Sequence, residues 1–246
     1  MARNVVISGG GTGIGLAAAR LFAADGDRVL LLGRREEVLK RADVPGASTY
    51  AADLGDPAAV RGVADFVARE FGTVDVLVHG AGGNGQLEPP AGSADPLDRV
   101  AHAWTVNFRI NTLTAVLLTE ALKDRLASPG GRVLFVSSIA AYRGSGSGAY
   151  AGAKAALHPY AHDLARELGP RGITANVVAP GYIEDTEFFG PRIDPARRER
   201  LVAETSNGRA GTPGDVAATL HWLASPGAGH VTSQILQVNG GAERGH

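Results

Sequence analysis

Short apolar runs recur along this chain, separated by stretches of helical periodicity, and that rhythm limits its fold more than any single motif. "NVVIS" (4–8), "RVLLL" (28–32), "VDVLVH" (74–79), "RVLFVSS" (132–138), "ITANVVA" (173–179) and "QILQV" (234–238) read as strands, with a weaker one at "STYAA" (48–52). Most are continuously apolar rather than alternating, as strands covered on both faces are. Helical patterning falls near 14–25, 57–70, 97–126, 149–168 and 213–224. Such alternation predicts an α/β domain whose mostly parallel, seven-stranded sheet is doubly wound, with helices on both faces. No repeat or linker divides the 246 residues, so residues 1–246 read as one domain.

The first strand leads into glycines and then an amphipathic helix: "VVISGGGTGIGLAAARLFAADG". Gly9, Gly13 and Gly15 permit a tight turn and let backbone N–H groups approach a pyrophosphate at the positive end of that helix. The spacing is G-x-x-x-G-x-G, not the G-x-G-x-x-G of many dinucleotide turns, but strand before and helix after support a Rossmann-type nucleotide site. The second strand ends in "LLLGRREEV" (30–38), without the acidic residue that would accept from a ribose 2′-hydroxyl. Arg34 and Arg35 stand there instead, and a guanidinium pairs with a 2′-phosphate. NADP(H) is therefore favoured over NAD(H), with Arg34 the better candidate. Asp53, in "YAADL", is suited either to an adenine amine or to capping a helix.

Tyr150 and Lys154 stand in "GAYAGAKAAL" (148–157), a stretch otherwise made almost wholly of glycine and alanine. One helical turn apart, their Cβ atoms lie about 5–6 Å from each other. An ammonium at that distance is expected to lower a phenol by about two pKa units, toward neutral pH, where a proton can pass to or from a substrate oxygen. Twelve residues upstream, Ser138 ends a strand with a hydroxyl that can donate to the same oxygen; Ser137 beside it is the alternative.

These motifs, with "SGGGTGIG" (8–15), "RVLFVSSIAA" (132–141), "NVVAPGYI" (176–183) and "QILQVNGG" (234–241), make the chain resemble a short-chain dehydrogenase/reductase of about 250 residues, similar to 3-oxoacyl-carrier-protein reductases. The resemblance implies catalytic Ser138, Tyr150 and Lys154, and a relay asparagine in "WTVNFRINTLTAVLLTEAL": Asn111 by its spacing, Asn107 second. It implies cofactor contacts from Gly9, Gly11, Thr12, Gly13, Ile14 and Gly15, from Arg34, Arg35, Asp53 and Leu54, and from Gly80, Ala81 and Gly82. Tyr150, Lys154, Pro180, Gly181 and Ile183 complete the set. A ketone or secondary alcohol would exchange hydride with nicotinamide, Tyr150 serving as general acid or base. A catalytically silent NADP(H)-binding regulator of the same fold is the alternative.

Some residues depart from the family pattern. His79-Gly80-Ala81-Gly82 replaces the usual Asn-Asn-Ala-Gly, Thr186 falls one place late after the Pro-Gly turn, and Pro159 should bend the catalytic helix. Substrate is expected between 87–97, 139–147 and 182–206, near Tyr142, Tyr182, Phe188 and Phe189, with 182–212 as a lid. A net charge of −1 gives no bulk field for nucleic acid, and no apolar run of membrane length occurs. Cysteine is absent, which excludes disulfides. His158 and His162 lack a third ligand, so no metal site is expected. A strand pattern from the first residues leaves no room for a signal peptide, and a cytoplasmic location follows as the expectation. The family resemblance adds a homodimer or homotetramer.

Overall fold

The computed structural model describes residues 2–85, 95–189 and 193–244. Its strands are β1 (Asn4–Ser8), β2 (Arg28–Gly33), β3 (Ser48–Ala51), β4 (Val76–His79), β5 (Arg132–Val136), β6 (Thr174–Pro180) and β7 (Ile235–Val238). Among the described residues they form one sheet, ordered β3-β2-β1-β4-β5-β6-β7, in which every neighbouring pair is parallel. The helices are α1 (Gly13–Ala24), α2 (Glu36–Arg41), α3 (Pro57–Glu70), α4 (Pro96–Phe108), α5 (Thr114–Leu122), α6 (Ala140–Arg143), α7 (Gly148–Ala155), α8 (Leu157–Leu168), α9 (Pro195–Ala203) and α10 (Pro213–Leu223).

Continuous apolar strands have a direct cause here, because alternate side chains enter two separate cores. Val6 packs with Val63 of α3, Leu118 of α5 and Leu164 of α8. Its neighbours Val5 and Ile7 join Phe22 of α1 and Leu220 of α10 on the opposite face. The chain runs outward from β1 to β3 and then crosses back to β4, so a crevice opens between the carboxyl ends of β1 and β4. In open α/β sheets that switch point is where ligands bind.

Three helical readings need correction. The region expected as one helix over 97–126 is α4, a π-helical turn at Arg109–Leu113, α5 and a short 3-10 turn at Lys123–Arg125. The region expected over 149–168 is two helices, interrupted at Ala156. Pro159 explains the break, since it has no N–H for the Ala155 carbonyl and its ring crowds that oxygen. Helix α2 escaped the periodicity because it spans six residues and buries only Leu39. Among the described residues, no helix is long and apolar enough to cross a membrane.

Candidate active site

At the end of β1 the backbone reverses through Gly9, whose φ of +68° suits glycine, and its N–H donates to the Leu32 carbonyl at 2.9 Å. A β-carbon there would lie 2.7 Å from the Ala81 nitrogen, so the turn rests directly on the loop after β4. Thr12 precedes α1 without a side-chain cap, and the first turn of α1 carries no acidic residue. The positive end of the helix dipole thus faces the crevice without a carboxylate of that helix to balance it. Arg34 and Arg35 lie exposed just beyond β2, and Arg35 Nη2 donates to Glu187 at 2.6 Å. Asp53 accepts from Gly55 N and pairs with Arg109 at 2.6 Å. Capping of α3 falls to Asp56, which accepts from Ala58 N, and Leu54 is buried. The uncapped helix start, the glycine approach and the two arginines fit a phosphorylated dinucleotide.

The chemistry end is built on α7, whose first turn is capped by Ser147 accepting from Tyr150 N. Tyr150 and Lys154 are 7% and 5% exposed. The Ser138 hydroxyl lies close enough to the Tyr150 phenol to act on its proton, and its Oγ accepts from Ala140 N at 3.1 Å. Ser137 turns inward: its Oγ donates to the Lys154 carbonyl oxygen at 3.0 Å and pairs with His158 Nε2 at 2.9 Å. Geometry therefore selects Ser138 over Ser137 as the serine facing the phenol.

Burial pushes the Tyr150 phenol up to about 12, opposed by the nearby Ser138 hydroxyl. The expected lowering by Lys154 is not found. The Lys154 ammonium instead donates to the Val136 carbonyl at 2.8 Å, and burial lowers its pKa to about 8. The phenol consequently keeps its proton at neutral pH, the form from which a general acid acts.

Asn111 lies buried in the π-helical turn. Its Oδ1 accepts from Gly83 N at 3.0 Å, and its Nδ2 donates to Gly83 O and Asn107 O. Asn107 accepts from Gly85 N at 3.1 Å and donates to Ala103 O. A β-carbon on Gly82 would sit 2.6 Å from Asn111 Oδ1 and 2.9 Å from Lys154 Nζ, so this glycine brings the asparagine and the lysine to one point. Support lost with the missing asparagines comes from these two residues and from Ser8, whose Oγ accepts from Ala81 N. His79 stacks on Phe135 at 4.7 Å and pairs with Thr119 at 2.8 Å. Full burial lowers its pKa to about 3, so it stays neutral and serves the strand end as a structural group.

Comparison with known proteins converges on one family. A family model described as enoyl-(acyl carrier protein) reductase matches residues 9–243. The chain is 32% identical to the 3-oxoacyl-[acyl-carrier-protein] reductase MabA of Mycobacterium tuberculosis, over all of this chain and 95% of the relative. It is 36% identical to the cyclic-di-GMP-binding biofilm dispersal mediator protein of Escherichia coli, covering 97% of this chain and 96% of that one. A short-chain dehydrogenase/reductase structure from Brucella melitensis, described as a glucose/ribitol dehydrogenase, superposes with a TM-score of 0.87 at 28% identity, covering 98% and 97% of the two chains. The chain belongs to the short-chain dehydrogenase/reductase family.

In this short-chain dehydrogenase/reductase the segment after β6 closes the remaining side of the cleft. Ile139 N donates to Pro180 O, Gly181 N to Val238 O, and Ile183 bridges to Gly211. Thr186 lies against Gly13 despite its late position, and the Phe188 ring is 5.0 Å from that of Tyr150. Tyr142 packs on His158 at 5.1 Å, and Tyr182 lines a cavity of about 360 Å³ together with Ile183, Gln237 and Asn239. Residues 87–94 and 190–192 and the Phe189 side chain, also expected at the pocket, lie outside the described residues. Sequence reasoning missed Ser8, Arg109 and Glu187 as members of the site. Nothing local marks Glu187, which meets Arg35 across 152 residues of chain.

Proposed function

We propose that this short-chain dehydrogenase/reductase is an NADP(H)-dependent oxidoreductase that exchanges hydride with a ketone or secondary alcohol. The observation that carries the proposal is a buried phenol, Tyr150, beside the Ser138 hydroxyl, with buried Lys154 one turn away and the nucleotide turn across the crevice. Bound NADPH supplies the hydride. Tyr150 gives its proton to the carbonyl oxygen while Ser138 holds that oxygen in place. Lys154 would bind the nicotinamide ribose, and Asn111, by fixing the Gly82–Gly83 backbone, holds the loop against Lys154. A 3-oxoacyl thioester is the first substrate to test, following the activity in MabA's name. The apolar stripe of Leu97, Val100, Trp104 and Phe108 on α4 supports a homo-oligomer, which sedimentation velocity would detect.

Tyr150→Phe is expected to lower ketone-dependent NADPH oxidation by about 100-fold or more while NADPH still binds, as loss of the proton donor requires. Undiminished turnover would end the proposal. The Escherichia coli relative whose name describes binding of cyclic-di-GMP favours a second reading, a nucleotide-binding regulator. Nucleotide binding without turnover across a panel of ketones would select that reading.

A further inference from the structure

Three consecutive residues of the segment after β6 touch three parts of the cleft. A β-carbon on Gly13 would lie 3.4 Å from the Thr186 methyl group, which places Thr186 over the nucleotide turn. Glu187 accepts from Arg35 at the carboxyl edge of β2, and Phe188 leans on the Tyr150 ring. The Arg35–Glu187 pair thereby joins the edge of the sheet that meets the adenosine end to the segment covering the chemistry. We propose that Glu187 competes with the 2′-phosphate of NADP(H) for Arg35, and so sets how strongly the site prefers the phosphorylated dinucleotide.

The inference rests on the NADP(H) reading above. A carboxylate and a phosphate monoester present the same chemistry to a guanidinium, oxygen acceptors carrying negative charge, so one Nη group serves either. The phosphate carries more charge and displaces the carboxylate, but the displaced ion pair and the nearby negative charge both subtract from its affinity. A dinucleotide without the phosphate has no such displacement to make. Both side chains are more than half exposed, so the competition is modest. Removing the carboxylate should tighten binding of a 2′-phosphate by about two- to fivefold, the range of an exposed ion pair.

The test uses the full chain and measures binding, independent of any substrate. Isothermal titration with 2′,5′-ADP and fluorescence titration with NADPH and NADH are run on the native protein, Glu187→Gln, Arg35→Gln and the double variant. Glu187→Gln is expected to bind 2′,5′-ADP and NADPH about two- to fivefold more tightly, with NADH unchanged, and to have no effect once Arg35 is replaced. Unchanged or weaker NADPH binding by Glu187→Gln, with the native protein still preferring NADPH, would overturn the competition and leave the cofactor reading intact. Weaker binding in particular would mean that Glu187 orients Arg35 for the phosphate. Equal affinity of the native protein for NADPH and NADH, indifferent to Arg35→Gln, would overturn the cofactor reading and the competition with it.

Discussion

The loop after β4 and the segment after β6 leave the same edge of the sheet and border the same cleft, but they are secured differently. The first is stitched from inside by Ser8, Asn107 and Asn111, each at most 2% exposed and each accepting from a backbone N–H of the loop. The second is tied to Gly211 at its base, and farther out by exposed ion pairs, Arg35 with Glu187 and Arg198 with Glu184. Loss of a buried partner leaves a desolvated group unsatisfied, whereas an exposed pair returns both charges to water. One side of the cleft is therefore a fixed gauge that locates Lys154, and the other is a cover that can change without unfolding the chain.

The largest effect is expected at Lys154. Its folded pKa of about 8 lies below the ordinary 10.5, so between those values the unfolded chain binds more protons and stability rises with pH. Lys154→Met should abolish turnover yet stabilise the fold at pH 7 by up to about 3 kcal/mol, with the gain shrinking toward pH 10. Urea denaturation across that range measures it, and a pH-independent difference would show that the amine is not desolvated. Next comes Gly82→Ala, whose methyl group must push Asn111 or Lys154 aside. It is expected to cost about 1–3 kcal/mol and, through a displaced ammonium, about 100-fold in turnover.

Asn107→Leu tests the same side without touching Lys154. It leaves the buried Gly85 N–H without its acceptor, and a loss of about 1–3 kcal/mol is expected in thermal or urea unfolding. Smallest of all should be Arg198→Gln in the cover, under about 1 kcal/mol. If that substitution proved as damaging as Asn107→Leu, the contrast between gauge and cover would fail.

What the amino-acid order revealed, and what it hid, follows the same division. Strands were legible because burial on both faces demands unbroken apolar runs, although β4, β6 and β7 begin later than their patterns, at Val76, Thr174 and Ile235. Tyr150 and Lys154 stood out because a phenol and an amine lie one turn apart on an otherwise bare helix, and Ser138 because a hydroxyl follows the end of the strand before it. Asn111 was expected in the long helix after β4, and its grip on Gly83 was not, since that bond joins residues brought together only by the crossover from β4 to α4. The electrostatics of Lys154 were misjudged for a related reason: the helix shows where Tyr150 lies, but only the folded sheet offers the Val136 carbonyl. The encounter of Glu187 with Arg35 belongs entirely to tertiary structure.

The π-helical turn at Arg109–Leu113 has a consequence for how such a chain can change. Downstream of it, Leu118 and Leu122 are anchored in the core; upstream, Leu97, Val100, Trp104 and Phe108 face outward. One residue corresponds to about 100° of helical rotation, so deleting a residue within the turn would swing α4 around its axis and carry Asn107 away from Gly85 and Trp104 away from Gly152. The wide turn thus sets a phase: it lets one run of helix hold Asn107 against the neighbouring loop and an apolar stripe toward solvent, while Leu118 and Leu122 stay beneath the sheet.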